Sequence, residues 1–244
     1  MTDGLLLLHA WPIDARMWQQ QLAALPDGLP VAAPHLPGFG GAEPAGHVMT
    51  MRAAAERSLA AMGEAGLDRA VVCGLSMGGY VAFEIWRRAS DRVLGLVLAN
   101  TRAVADVPAA AEARRTLAER LRADGNVVAD EPPPLLSEAA PQELRERVHG
   151  WIREQTPDAI AAALLGMAER PDSTGDLASI RVPTLILTST EDRMIAPEVS
   201  AEMAGLIPRG RLETIEGAGH LSNLEAPEAF DAALLEHLAA CGIG

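Results

Sequence analysis

Six short apolar runs punctuate the chain, at residues 5–8, 31–33, 70–73, 93–99, 182–188 and 211–215. A strand with one wet face alternates apolar and polar residues, whereas a run apolar throughout is buried on both faces. Helical segments fall between the runs, at residues 17–25, 50–65, 77–89, 197–206 and 227–240. The last two open with Pro197 and Pro227, tolerated there because the first N–H groups of a helix have no internal partner. Strands buried on both faces with helices between them specify a doubly wound α/β fold around a mostly or wholly parallel sheet of about six strands.

Residues 102–178 interrupt that rhythm. They hold helical stretches at 109–123, 142–155 and 157–170, a Pro132-Pro133-Pro134 turn and no convincing strand. Thr156-Pro157 supplies an N-cap and a first-turn proline, and Pro171 ends the same helix. The expected division is a core of residues 1–101 and 179–244 with a helical cap over residues 102–178 that encloses a pocket above the strand ends.

Composition excludes several functions. The 244-residue chain carries 20 basic and 33 acidic residues, a net charge of −13 that repels phosphate backbones and anionic membranes. Nucleic acid and membrane surfaces are therefore not expected partners. Every basic residue is arginine, so chemistry that needs a lysine Schiff base or a Walker lysine is unavailable. Cys73 and Cys241 are the only cysteines, too few for a disulfide or zinc framework. No run approaches the roughly 18 apolar residues of a membrane span, and the N-terminal leucines are too few for a signal core. The expectation is a soluble cytoplasmic protein with no metal.

One turn carries the chemistry. Gly74-Leu75-Ser76-Met77-Gly78 closes a strand and opens a helix, which forces the serine into a strained conformation with its hydroxyl above the sheet. Glycines on either side let strand and helix approach closely. A serine hydroxyl needs an imidazole to take its proton, and the imidazole needs a carboxylate to set its tautomer. Asp192 lies in the loop after the fifth run and His220 in the small-residue loop Gly217-Ala218-Gly219-His220 after the sixth. Both loops leave the C-terminal ends of strands, where open parallel sheets bind ligands. Glu191 and Glu216 are the rival acids, and His9, His35, His47, His149 and His237 the rival bases, better read as structural or solvated.

The order Ser, Asp, His, together with His9-Ala10-Trp11-Pro12 and Leu36-Pro37-Gly38-Phe39-Gly40, resembles the α/β-hydrolase family over nearly the whole chain. The similarity is strongest to small capped serine esterases, 3-oxoadipate enol-lactonases and cofactor-free haloperoxidases. It implies a serine hydrolase that cleaves small or medium carboxylic esters or lactones without a cofactor. Ser76 would be the nucleophile, His220 the base and Asp192 its orienting acid, with the backbone N–H groups of Trp11 and Met77 as the oxyanion hole. Perhydrolysis, C–C hydrolysis or lyase chemistry on the same residues, or a ligand-binding receptor, are the alternatives on this fold.

Two departures from the family are visible. Ala10 stands where glycine is usual, which would cost roughly 1 kcal/mol if the position required positive φ. Only four residues precede Leu5, leaving no room for the family's leading hairpin, so the strand near Val31 is expected at a sheet edge. For substrate contact the candidates are Trp11, Trp151 and Met167, with Met77 beside them. Arg145, Arg147 and Arg153 are read as a solvated face paired with neighbouring glutamates.

Overall fold

In the computed structural model, which describes residues 1–243, the apolar runs form one sheet: β1 (Asp3–Leu8), β2 (Val31–Ala32), β3 (Arg69–Leu75), β4 (Val93–Ala99), β5 (Thr184–Ser189) and β6 (Gly210–Ile215). The order is β2-β1-β3-β4-β5-β6 and every pairing is parallel. Buried residues fill β1, β3, β4 and β5 almost without a break, as runs apolar throughout require. β6 differs: only Ile215 of its six residues is buried, which fits its place at the sheet edge and the polar character of Arg211 and Glu213. β2, with two residues, is the other edge, and so short a strand offers little for another chain to pair with.

Helices cover both faces: α1 (Gln19–Ala24), α2 (Met51–Glu64), α3 (Met77–Ala89), α9 (Pro197–Leu206) and α11 (Pro227–Ala240) belong to the core layers. Thr50 caps α2 by accepting from the Ala53 N–H, satisfying a donor that the helix start leaves free. The stretch expected as one helix at 17–25 is divided, because residues 15–18 wind as a tighter 3-10 turn before α1.

Between β4 and β5 the chain forms α4 (Pro108–Asp124), α5 (Val127–Asp130), α6 (Gln142–Glu154), α7 (Pro157–Ala168) and α8 (Thr174–Leu177), with no strand among the described residues. α4 packs along α7, and Thr156 caps α7 through the Ala159 N–H. α7 is docked onto the core by its own backbone. Its Ile160 carbonyl accepts from Trp11 Nε1 at 3.2 Å and its Ala162 carbonyl from the Met49 N–H at 3.0 Å. The one-turn α10 (Ser222–Glu225) follows β6 and leads into α11.

This topology has a switch point. From β1 the chain steps outward to β2, then returns to β3 on the other side of β1 and continues to β6. The loops after β1 and β3 therefore diverge and leave a crevice at the C-terminal edge of the sheet, where ligands bind in open α/β folds. No helix among the described residues is long and apolar enough to cross a membrane.

Candidate active site

Ser76 sits in that crevice between β3 and α3 with φ 55° and ψ −113°, a left-handed backbone that residues other than glycine adopt rarely. Its conformation is held from three sides. The Ser76 N–H donates to Ala99 O at 2.9 Å, and its carbonyl accepts from the Gly79 N–H at 2.9 Å and from Thr101 Oγ1 at 2.8 Å. The flanking glycines are steric necessities. A Cβ on Gly74 would collide with the backbone of Gly78, and one on Gly78 with the Leu8 carbonyl at the end of β1.

His220 is buried in the loop after β6, with Nδ1 2.9 Å from Asp192 Oδ2. A ring nitrogen facing a carboxylate carries the proton, which leaves the lone pair on Nε2. Nε2 is buried and has no hydrogen-bond partner. Asp192 is fully enclosed. Oδ1 accepts from the Met194 and Ile195 N–H groups at 2.8 and 3.0 Å, and Oδ2 accepts from His220 and from Asn100 Nδ2 at 3.0 Å. Burial pushes its carboxyl pKa up, but the hydrogen bonds from His220, Asn100 and the Ile195 N–H outweigh burial and hold it below the ordinary aspartate value.

Asn100 is the residue that sequence reading missed. It follows β4 with φ 44°, the only other non-glycine residue at positive φ among those described. Its amide ties three loops together: Nδ2 donates to Asp192 and to Ser189 Oγ at 2.7 Å, and Oδ1 accepts from Ser222 Oγ at 2.7 Å. Ser189 Oγ in turn donates to Gly219 O at 2.6 Å, next to His220. Asn tolerates the left-handed region better than most residues, and its position directly after a strand end was the one available signal.

The loop after β1 lies opposite. Ala10 is not at positive φ, so alanine in place of the usual glycine costs nothing there. The Trp11 and Met77 N–H groups donate to no other protein group among the described residues, Met77 being the first residue of α3. Below them His9 is fully buried: its Nδ1 lies 3.0 Å from Ala10 O and its Nε2 accepts from the Leu36 N–H at 2.9 Å, which binds the loops after β1 and β2 together through a neutral imidazole.

That environment makes a testable stability term. Burial, partly offset by the Ala10 carbonyl, lowers the His9 pKa from 6.5 to about 4. The unfolded chain takes up this proton below pH 6.5 while the folded chain refuses it until about pH 4, so stability falls as pH falls through that window. The loss is about 3 kcal/mol. Urea unfolding at intervals from pH 7.5 to 4.5 should show the decline, and His9→Gln should remove about half of it, because burial likewise lowers the His237 pKa from 6.5 to about 4 and adds a similar loss in the same window.

Ser76, His220, Trp11, Tyr80, Arg102, Arg114, Met167, Met194 and Ile195 line one cavity of about 40 Å³. Of the expected contact residues, Trp11 and Met167 are therefore at the site. Trp151 is not among the lining residues: the guanidinium groups of Arg16 and Arg147 lie over its ring, at 5.9 and 5.7 Å to the centroid. Cation–π contact with two arginines engages this ring, a pairing that a reading of large apolar residues as pocket lining overlooked. Larger clefts, of about 350 and 360 Å³, lie among Pro132–Pro134 and α6 and beside Gly41–Gly46, away from Ser76.

The chain matches the alpha/beta hydrolase family over residues 5–233. It belongs to that family. The biotin biosynthesis bifunctional protein BioHC of Cellvibrio japonicus is 30% identical over 94% of this chain, which spans 46% of that relative's length. A pimeloyl-[acyl-carrier protein] methyl ester esterase of Aromatoleum aromaticum is 28% identical, over 92% of this chain and 93% of the relative. A solved thermophilic esterase from Thermogutta terrifontis is 41% identical with a TM-score of 0.93, over 99% of this chain and 92% of that one. In this chain the crevice at the switch point holds the strained Ser76, and His220, paired with Asp192, lines the same cavity.

Proposed function

We propose that the protein is a serine hydrolase cleaving small carboxylic esters or lactones, with Ser76 as nucleophile, His220 as general base and acid, and Asp192 as the group that orients His220. One observation carries the reading: the buried His220 Nε2 has no partner among the described residues and its Nδ1 is committed to Asp192, while His220 and Ser76 line the same cavity. A buried, unpaired ring nitrogen costs stability, so it is retained where it has a proton to move. The esterase names of similar proteins point the same way.

In the reaction Ser76 Oγ attacks the carbonyl carbon as its proton passes to His220 Nε2, and Asp192 stabilises the imidazolium. The free N–H groups of Trp11 and Met77 receive the oxyanion. His220 then returns the proton to the leaving alcohol, and water reverses the sequence on the acyl-enzyme. Catalytic hydrogen bonds are often long before substrate arrives and tighten in the reacting complex, which accommodates an unpaired Nε2. Residues 102–178 act as the cap, giving Arg102, Arg114 and Met167 to the cavity. A cytoplasmic location accords with two free thiols, one of them buried.

A fluorophosphonate probe tests the assignment, because it phosphonylates only an activated serine. One label per chain, located on Ser76 by peptide mapping, is expected. A protein that hydrolyses p-nitrophenyl acetate while Ser76 stays unlabelled would overturn it.

A further inference from the structure

The wall of the cavity facing Ser76 is cationic. Arg102 and Arg114 both line it, and Arg170 lies behind them, 4.1 Å above the ring of Tyr80. A single carboxylate serves all three guanidinium groups. Asp106, with its side chain fully buried, accepts from Arg102 Nη2 at 2.6 Å, Arg114 Nε at 2.6 Å and Arg170 Nη2 at 2.9 Å. Within this cluster three positive charges meet one negative, in a chain whose net charge is −13.

The donors that remain are poorly used. Arg102 Nε is buried without a partner, and Arg114 Nη1 has only the thioether of Met167 at 3.7 Å, a weak acceptor. A guanidinium presents five N–H donors in a fork that matches a carboxylate, so donors left idle beside a reaction centre are a binding feature rather than a structural one. The geometry points to a carboxylate-recognition subsite formed by Arg102 and Arg114, so that the ester or lactone cleaved at Ser76 carries a second, ionised carboxylate. This rests on the esterase reading and names its substrate class: short half-esters of dicarboxylic acids, or lactones bearing a carboxylate.

Two measurements decide it. In the first, kcat/KM is compared for monomethyl succinate, glutarate and adipate against neutral isosteres such as methyl 5-methylhexanoate, in the wild-type protein, Arg102→Gln and Arg114→Gln. The charged ester should be preferred by about 10-fold or more at its best chain length, the effect of one charge-assisted hydrogen bond. The ratio should collapse toward one in either variant; as a ratio within one protein, it cancels any loss of folded material. In the second, glutarate should slow fluorophosphonate labelling of the wild-type protein at concentrations where the neutral diamide glutaramide does not. Labelling of Ser76 with neutral and charged esters cleaved equally, or with no protection by glutarate, overturns the subsite and leaves the hydrolase standing. A preference that survives both arginine substitutions overturns the assignment to Arg102 and Arg114. Absence of labelling overturns the hydrolase reading itself.

Discussion

Ser76→Ala should lower kcat/KM for p-nitrophenyl acetate by about 10^4- to 10^6-fold, the range seen when a serine nucleophile is removed from a working proton relay. The protein should stay folded. Alanine keeps the Cβ, and the bonds that hold the strained turn run from the backbone of residue 76 to Ala99, Gly79 and Thr101, so none is lost with Oγ. The thermal midpoint is expected within about 2 °C of the wild type, no more than the shift that 1 kcal/mol produces in a chain of this size. Ser76→Gly separates strain from chemistry. It loses activity equally but releases φ 55°, worth about 1–3 kcal/mol, against the roughly 0.5–1 kcal/mol that glycine costs in the unfolded chain. Its midpoint should not fall, and a rise of a few degrees is the expected reading. Activity above a few per cent in Ser76→Ala, on protein free of wild-type carry-over, would remove Ser76 from the mechanism.

Most of the architecture is legible because burial writes itself into short sequence. β1, β3, β4 and β5 are apolar on both faces since helices lie on both, and their runs could not have been amphipathic strands. The common placement of Ser76, Asp192 and His220 is legible for a related reason: Ser76 directly follows β3 and the other two lie in the loops after β5 and β6, so all three emerge at the same edge of a parallel sheet. What escaped depends on contacts between distant segments. Asn100 reads as one more polar residue after a strand, and its role exists only because Ser189, Asp192 and Ser222 meet it in space. Arg102 and Arg114 read as ordinary surface arginines until Asp106 gathers them with Arg170. Trp151 was misjudged since two arginines of different segments cover its ring. β6 was read with the buried strands, but an edge strand covered on fewer sides admits Arg211 and Glu213.

Asp192→Asn should be nearly as damaging as loss of the nucleophile, and the hydrogen bonds around residue 192 say why. Oδ1 receives two backbone N–H groups, from Met194 and Ile195, so the amide oxygen of asparagine must take that place. The NH2 group is then forced onto the Oδ2 side, against His220 Nδ1 and Asn100 Nδ2. Facing an N–H donor, Nδ1 can no longer carry a proton; the proton moves to Nε2, and the base presents a hydrogen to Ser76 where it needs a lone pair. The expected loss in kcat is on the order of 10^4, with the oxyanion donors of Trp11 and Met77 in place. Stability falls as well, since Asn100 Nδ2 loses its carboxylate acceptor in a buried site, at about 1–3 kcal/mol. Fluorophosphonate labelling reads the tautomer directly: the rate at Ser76 should drop in parallel with kcat, whereas a mere loosening of the loop would lower the thermal midpoint and leave labelling within about 10-fold of the wild type. That second pattern would mean Asp192 holds the loop rather than the imidazole, and the acid would have to be sought elsewhere.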